Sequence, residues 1–195
     1  MALIPNPDPA RNPRQLSRPV PKVGDVSLAD RKRALRFAGI FFALVTAFYA
    51  ATLSPWVDAN MLFPVLKISA RGSSLLLNVA GAKTMVEGVV VRGSDYAVAV
   101  RRGCDPLEPI VLFGAGVIAF PAPWRRKVAG LLIGGAMLFG LNVVRIASLF
   151  LMGASKSSLL DDFHLFWWPA FFIICALALW VAWLRSLPRP VPVRA

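Results

Sequence analysis

From Phe37 to Trp56 the chain carries no charged side chain. At ~1.5 Å per residue, an α-helix of that length covers about 30 Å, the thickness of bilayer hydrocarbon. Three more apolar stretches follow. Pro106–Trp124 is closed by Pro121 and Pro123, Val128–Met152 is interrupted by Asn142 and Arg145, and Phe163–Leu184 holds no Lys, Arg, Asp or Glu. Lipid offers the backbone no hydrogen-bond partner, so a spanning segment must satisfy its own N–H and C=O groups. The expected fold is an α-helical integral membrane protein with about four transmembrane helices. Hydrophobic residues make up 57% of the chain, above the roughly 45–50% of a soluble domain, and the excess lies in these runs.

The formal net charge is +12. In a soluble protein that would point to nucleic acid. Here most basic side chains flank apolar runs, where they set topology and meet anionic lipid headgroups. Nucleic acid is therefore not an expected partner. Residues 1–36 form a Pro-rich basic tail, expected to be disordered. The tight link after Pro123 holds Arg125, Arg126 and Lys127, and the C-terminal tail 186–195 adds Arg189 and Arg194 after Arg185. The loop between the last two spans offers only Lys156, against Asp161 and Asp162. The positive-inside rule then puts both termini in the cytoplasm and makes 57–105 the extracytoplasmic segment of a transmembrane core spanning residues 37–185.

That outer segment reads in two parts. Residues 60–82 alternate apolar clusters with Lys67, Arg71 and Asn78, as an interfacial helix does; a fifth span is the other reading. Residues 84–92 and 96–101 are β-branched and alternating, with Gly93-Ser94-Asp95 between them, the pattern of a small β-hairpin.

Three residues stand out at the outer boundary. Cys104 precedes Asp105-Pro106-Leu107-Glu108. Asp105 is a good N-cap, Pro106 suits the first helical position, and Glu108 completes a capping box. The helix dipole, Arg101 and Arg102 favour a thiolate at Cys104, while Asp105 and Glu108 oppose it. Arg145 follows Lys127 by a length of helix worth roughly 27 Å, close to the full hydrocarbon depth. Asn142 lies one turn below it on the same face. His164, the only histidine, falls in the first turn of the last span. Thiol, imidazole and guanidinium at one depth form a set suited to acyl transfer: nucleophile, proton carrier and oxyanion partner. Cys104 and Cys175 differ in depth, which disfavours a disulfide, and three Cys/His residues fall short of a structural zinc site. No motif calls for a cofactor or a metal.

These residues resemble the exosortase/archaeosortase family. The resemblance rests on Gly103–Glu108, on Leu141-Asn142-Val143-Val144-Arg145-Ile146 and on Phe163-His164-Leu165. The Phe120–Lys127 stretch and the short chain are most like the exosortase H branch. The resemblance covers about residues 60–184. It implies a membrane-embedded cysteine transpeptidase or protease of the cytoplasmic membrane, acting at its outer face. The implied substrates are exported proteins whose C-terminal signal has a short motif, a transmembrane helix and a basic end. It further implies Cys104 as nucleophile, His164 as proton carrier and Arg145 as the oxyanion or substrate-orienting group. Asn142, Arg101 and Arg102 are added as candidate substrate contacts. Asp105-Pro106 stands where the family usually has Ser or Asn followed by Gly, and four spans are fewer than many members have. The competing expectation is a non-catalytic membrane subunit or small transporter component, with Arg145 and Asn142 as interhelical glue. Oligomeric state, substrate motif and acceptor are left open.

Overall fold

The computed structural model describes residues 28–188. The expectations for residues 1–27 and 189–195 lie outside them. Two compact units are separated, Met1–Leu35 and Arg36–Ala195. The described part of the first is the opening of a helix, and the candidate site lies wholly in the second.

Helix α1 runs Leu28–Thr52 and buries none of its residues. It begins at Leu28 rather than Phe37, so residues 28–36 are helix and not tail. The reason is local: Leu, Ala, Lys and Arg are strong helix formers, and Asp30 suits the positive end of the helix dipole. After a break at Leu53-Ser54, a short helix α2 (Pro55–Val57) and a π turn (Asp58–Leu62) lead into α3 (Phe63–Val79).

Helix α3 is amphipathic, and its buried stripe is Leu66, Ser69, Ala70, Ser73, Ser74 and Leu77. The stripe packs on α5 (Trp124–Ala154). Small residues allow the close approach. A Cβ on Gly72 would meet Val143 at 3.0 Å, and the Ser73 hydroxyl donates to the Val143 carbonyl at 3.2 Å. This helix is thus part of the bundle wall rather than an isolated surface element. Its C-terminus is tied to the next segment by Asn78, whose amide donates to the Thr84 carbonyl and accepts from the Thr84 N–H.

The expected hairpin is a three-stranded antiparallel meander, β1 (Met85–Glu87), β2 (Val90–Arg92) and β3 (Ala97–Ala99). What reads as one strand over 84–92 is two. Gly88 has φ +65° and, with Val89, forms the two-residue loop between Glu87 and Val90, as a type II′ hairpin needs. The Arg92–Glu87 ion pair, 3.1 Å long and exposed, crosses this first hairpin. The inner face of the sheet buries Val91 and Val100 against Leu77, Ile146 and Phe150. Tyr96 stacks edge-on to Phe150 and occupies the space a side chain at Gly153 would fill. That glycine is therefore where the sheet is seated on α5.

The second apolar stretch yields only α4, Leu107–Ala119, 13 residues long. It covers about 20 Å, short of a full crossing. Pro121 and Pro123 stop it, and α5 starts at Trp124. Among the described residues, three helices are long and apolar enough to cross a membrane: Leu28–Thr52, Trp124–Ala154 and Leu160–Arg185. The last comprises α6 (Leu160–Asp162), a π turn (Phe163–Trp167) and α7 (Trp168–Arg185). A second core joins α4, α5 and α7 through Phe113, Val117, Leu138, Phe172 and Trp183. Gly134 of α5 leaves room for Phe113, and the Trp183 indole donates to the Arg126 carbonyl at 2.9 Å.

Candidate active site

The nucleophile candidate sits on a short, heavily pinned connection between β3 and α4. Arg101–Cys104 is a β-turn closed by the Cys104 N–H on the Arg101 carbonyl at 2.9 Å. Gly103, at its third position, has φ +84°, the left-handed conformation that a type II turn requires there. The Asp105 carboxylate accepts from the Gly103 N–H at 3.1 Å and from the Leu107 N–H at 3.0 Å. The N-cap is Pro106 and not Asp105, because α4 begins at Leu107, one residue later than expected; Asp105 holds the first helical N–H from the position before the cap. Glu108 turns toward a cavity, as described below, rather than back to the cap.

His164 comes from the other end of the chain. It lies in the π turn before α7, a local widening that often marks functional positions. Asp161 and Asp162 fall inside the first turn of this helical stretch rather than before it, where they still complement the helix dipole. The Cys104 sulfur is 3.8 Å from His164 Nε2 and 3.9 Å from Nδ1. Near-equal distances put the sulfur on the plane bisecting the two nitrogens and aimed at neither. A rotation of the ring points one nitrogen at the thiol.

Arg145, from the middle of α5, joins the two. Its Nη1 donates to the Gly103 carbonyl at 3.2 Å, and its Nη2 reaches the His164 carbonyl at 3.5 Å. The guanidinium thus bridges the residue before the thiol and the backbone of the imidazole. It lies over the Phe172 ring, 5.7 Å from the centroid, and the residue is only 5% exposed. Counting residues from Lys127 predicts the depth of Arg145 but not these two carbonyls.

The remaining candidates divide. Asn142 is fully buried one turn below Arg145, and among the described residues its amide has no hydrogen-bond partner. It lines neither of the cavities described next. Arg102 is turned away, paired with Asp58 and donating to the Thr52 carbonyl. Arg101 is exposed, and its carbonyl holds the turn.

Two cavities meet these groups. One, of about 560 Å³, has Gly103, Asp105, Glu108 and Arg145 in its wall and continues along apolar α4 and α7 side chains to Trp180. The other, of about 230 Å³, holds Cys104 and His164 and is walled by Tyr96, Val98, Leu160 and Asp161 among others. Sequence reasoning did not find Tyr96, Val98 or Leu160. They read as ordinary strand and helix residues, and no local signal places them beside the thiol.

The family model of the transmembrane exosortase (Exosortase_EpsH) matches residues 32–188. The chain belongs to that family. Neither a curated protein nor a solved structure matches it. For an exosortase, a membrane protein of sorting-signal processing, the state of the thiol matters most. Burial pushes the Cys104 thiol above the ordinary thiol range; Arg145 opposes the rise, Asp105 adds to it, and a backbone hydrogen bond from Arg101 opposes it. The thiolate is the nucleophilic form of a cysteine, and burial shifts the resting Cys104 sulfur away from it, toward the protonated thiol.

That gives a measurable profile. In a Cys175→Ser background, alkylation of Cys104 is expected to rise with pH through the ordinary thiol range of about 8.5 and to level off above it. Asp105→Asn removes a raising charge and moves the midpoint down. Arg145→Gln removes a lowering charge and moves it up. A midpoint at or below the free-cysteine value contradicts this account of the site.

Proposed function

We propose that this exosortase is a cysteine transpeptidase or peptidase that cleaves the C-terminal sorting signals of exported proteins at the outer face of the cytoplasmic membrane. The observation that carries the reading is the approach of the Cys104 sulfur to within 3.8 Å of the His164 ring, beside a guanidinium held on the flanking carbonyls. The basic Arg125–Lys127 link supports the orientation, with the site on the opposite side.

In this mechanism the substrate carbonyl enters between the thiol and Arg145. His164 takes the S–H proton as the sulfur bonds to the carbonyl carbon. The positive guanidinium faces the oxygen on which charge develops. Collapse breaks the C–N bond, and His164 returns the proton to the departing amine. A thioester then joins the upstream part of the substrate to Cys104. Water or an amine resolves it, giving up a proton to His164 and regenerating the thiol.

The test uses a tagged exported protein with a C-terminal motif, transmembrane helix and basic end, chosen because its shortening requires this chain. Membranes are incubated with that reporter and hydroxylamine, and the new C-terminus is read by mass spectrometry. A hydroxamate at the cut is expected, because hydroxylamine intercepts a thioester. Normal shortening after Cys104 has been alkylated overturns the reading.

A further inference from the structure

Among the described residues, strand β3 is an edge strand, paired on one side only. Two ladder bonds fix which of its residues face β2. The Gly93 N–H donates to the Tyr96 carbonyl at 2.8 Å, and the Val100 N–H donates to the Val89 carbonyl at 2.9 Å. Backbone direction alternates along a strand. Tyr96, Val98 and Val100 therefore turn their N–H and C=O groups to β2, and Ala97 and Ala99 turn theirs to the open edge. Both alanines are exposed.

An open edge is a template for another extended chain, and proteins usually blunt it with Lys, Pro or a bulge. Here the open positions carry alanine, the side chain that obstructs least. The same strand walls the cavity of about 230 Å³ that holds Cys104 and His164, through Tyr96, Val98 and Ala99. A chain laid along this edge would run beside the thiol, with an apolar pocket for one of its side chains.

We propose that the substrate peptide binds by adding as a fourth strand to the free edge of β3, using the backbone groups of Ala97 and Ala99, with one apolar side chain seated between Val98 and Leu160. This inference rests on the peptidase reading above. It commits to an extended peptide because two residues presenting N–H and C=O in alternation match only another extended backbone. It also explains a catalytic advantage: a strand held at both outward residues presents its next carbonyl to the sulfur in one orientation.

Proline separates this role from folding. At position 97 or 99 it deletes an outward N–H and leaves the β2 ladder intact, a placement tolerated on edge strands. Ala97→Pro and Ala99→Pro are each expected to slow reporter shortening about tenfold, the size of one lost hydrogen bond. Alkylation of Cys104 by a small reagent should be unchanged in both. Reporter shortening at the wild-type rate in both proline variants overturns the inference.

If a proline variant loses alkylation as well, the decision passes to cross-linking. Ala97→Cys is placed in a Cys104→Ala, Cys175→Ser chain, and single cysteines are scanned along the reporter motif. Disulfides at every second reporter position support strand addition. A pattern without that period, or a disulfide between two copies of the chain, overturns it. Reporter shortening that survives Cys104→Ala instead removes the peptidase reading itself. Loss with Cys104→Ala but not with either proline removes the strand inference alone.

Discussion

With Cys104→Ala, the tagged reporter is expected to stay at full length, with processing reduced about 10⁴-fold or more. The argument is chemical. No other described nucleophile lies against the His164 ring, and Cys175 lies within α7. Cys104→Ser is the sharper form of the test. A hydroxyl fills nearly the same half-buried volume and leaves the Arg101 carbonyl bond of the turn untouched. Its proton, however, is far harder to remove than that of a thiol, so processing should still fall about 10³-fold. Abundance and thermal stability of the serine variant should match wild type within about 0.5 kcal/mol. A serine variant that shortens the reporter at the wild-type rate shows that sulfur chemistry is not used.

The second large effect is expected at Arg145. Arg145→Lys keeps the charge but loses the fork that reaches the Gly103 and His164 carbonyls together. A lysine satisfies one of them and leaves the other, so the thiol and the ring drift relative to each other. Processing should fall about 10²-fold or more, with much of the loss in kcat rather than KM, because the contact matters most as charge develops. Arg145→Leu should fall further, since it removes the charge as well. Stability separates the two roles. Losing the two part-buried hydrogen bonds costs about 0.5–1.5 kcal/mol each, offset by relief from burying the guanidinium. A lysine variant with wild-type kcat means that the bridge is not part of the chemistry.

The two carbonyls also explain how one arginine can act twice. In the proposed mechanism its charge serves the reacting centre, and its geometry holds the Gly103 and His164 segments together. Gly103 and His164 are far apart in sequence: Cys104 sits on the turn before α4, and His164 in the π turn before α7. Without a central donor, their spacing would depend on the packing of α4 and α7 alone.

The sequence by itself determined the class of the protein and where its polar residues fall along the apolar runs. Long charge-free runs leave only membrane helices, because lipid satisfies no backbone group. Rise per residue fixes how far Arg145 lies from Lys127, and the start of the last apolar run places His164 at its end. It also pointed to Asp105 at the start of α4, where the carboxylate holds backbone N–H groups two residues away on either side, although the cap itself is Pro106. Elsewhere local pattern was insufficient. The β-branched run at 84–92 hides a turn at Gly88, whose positive φ is favoured only once β1 and β2 pair. The start of α1 reached back into residues that read as tail, since helix propensity there outweighs charge.

Tertiary structure decided which carbonyls receive Arg145. Backbone carbonyls are the same in every residue, so no sequence signal marks Gly103 or His164 as their owners. It decided that α3 lines α5 through serines and glycine, a contact of small side chains that hydropathy cannot see. It turned Arg102 away to Asp58, and it enclosed Asn142 without giving it a partner among the described residues. Above all it set an open strand edge next to the thiol. That edge is a relation between three short strands and a turn, and it exists only when all four are folded together.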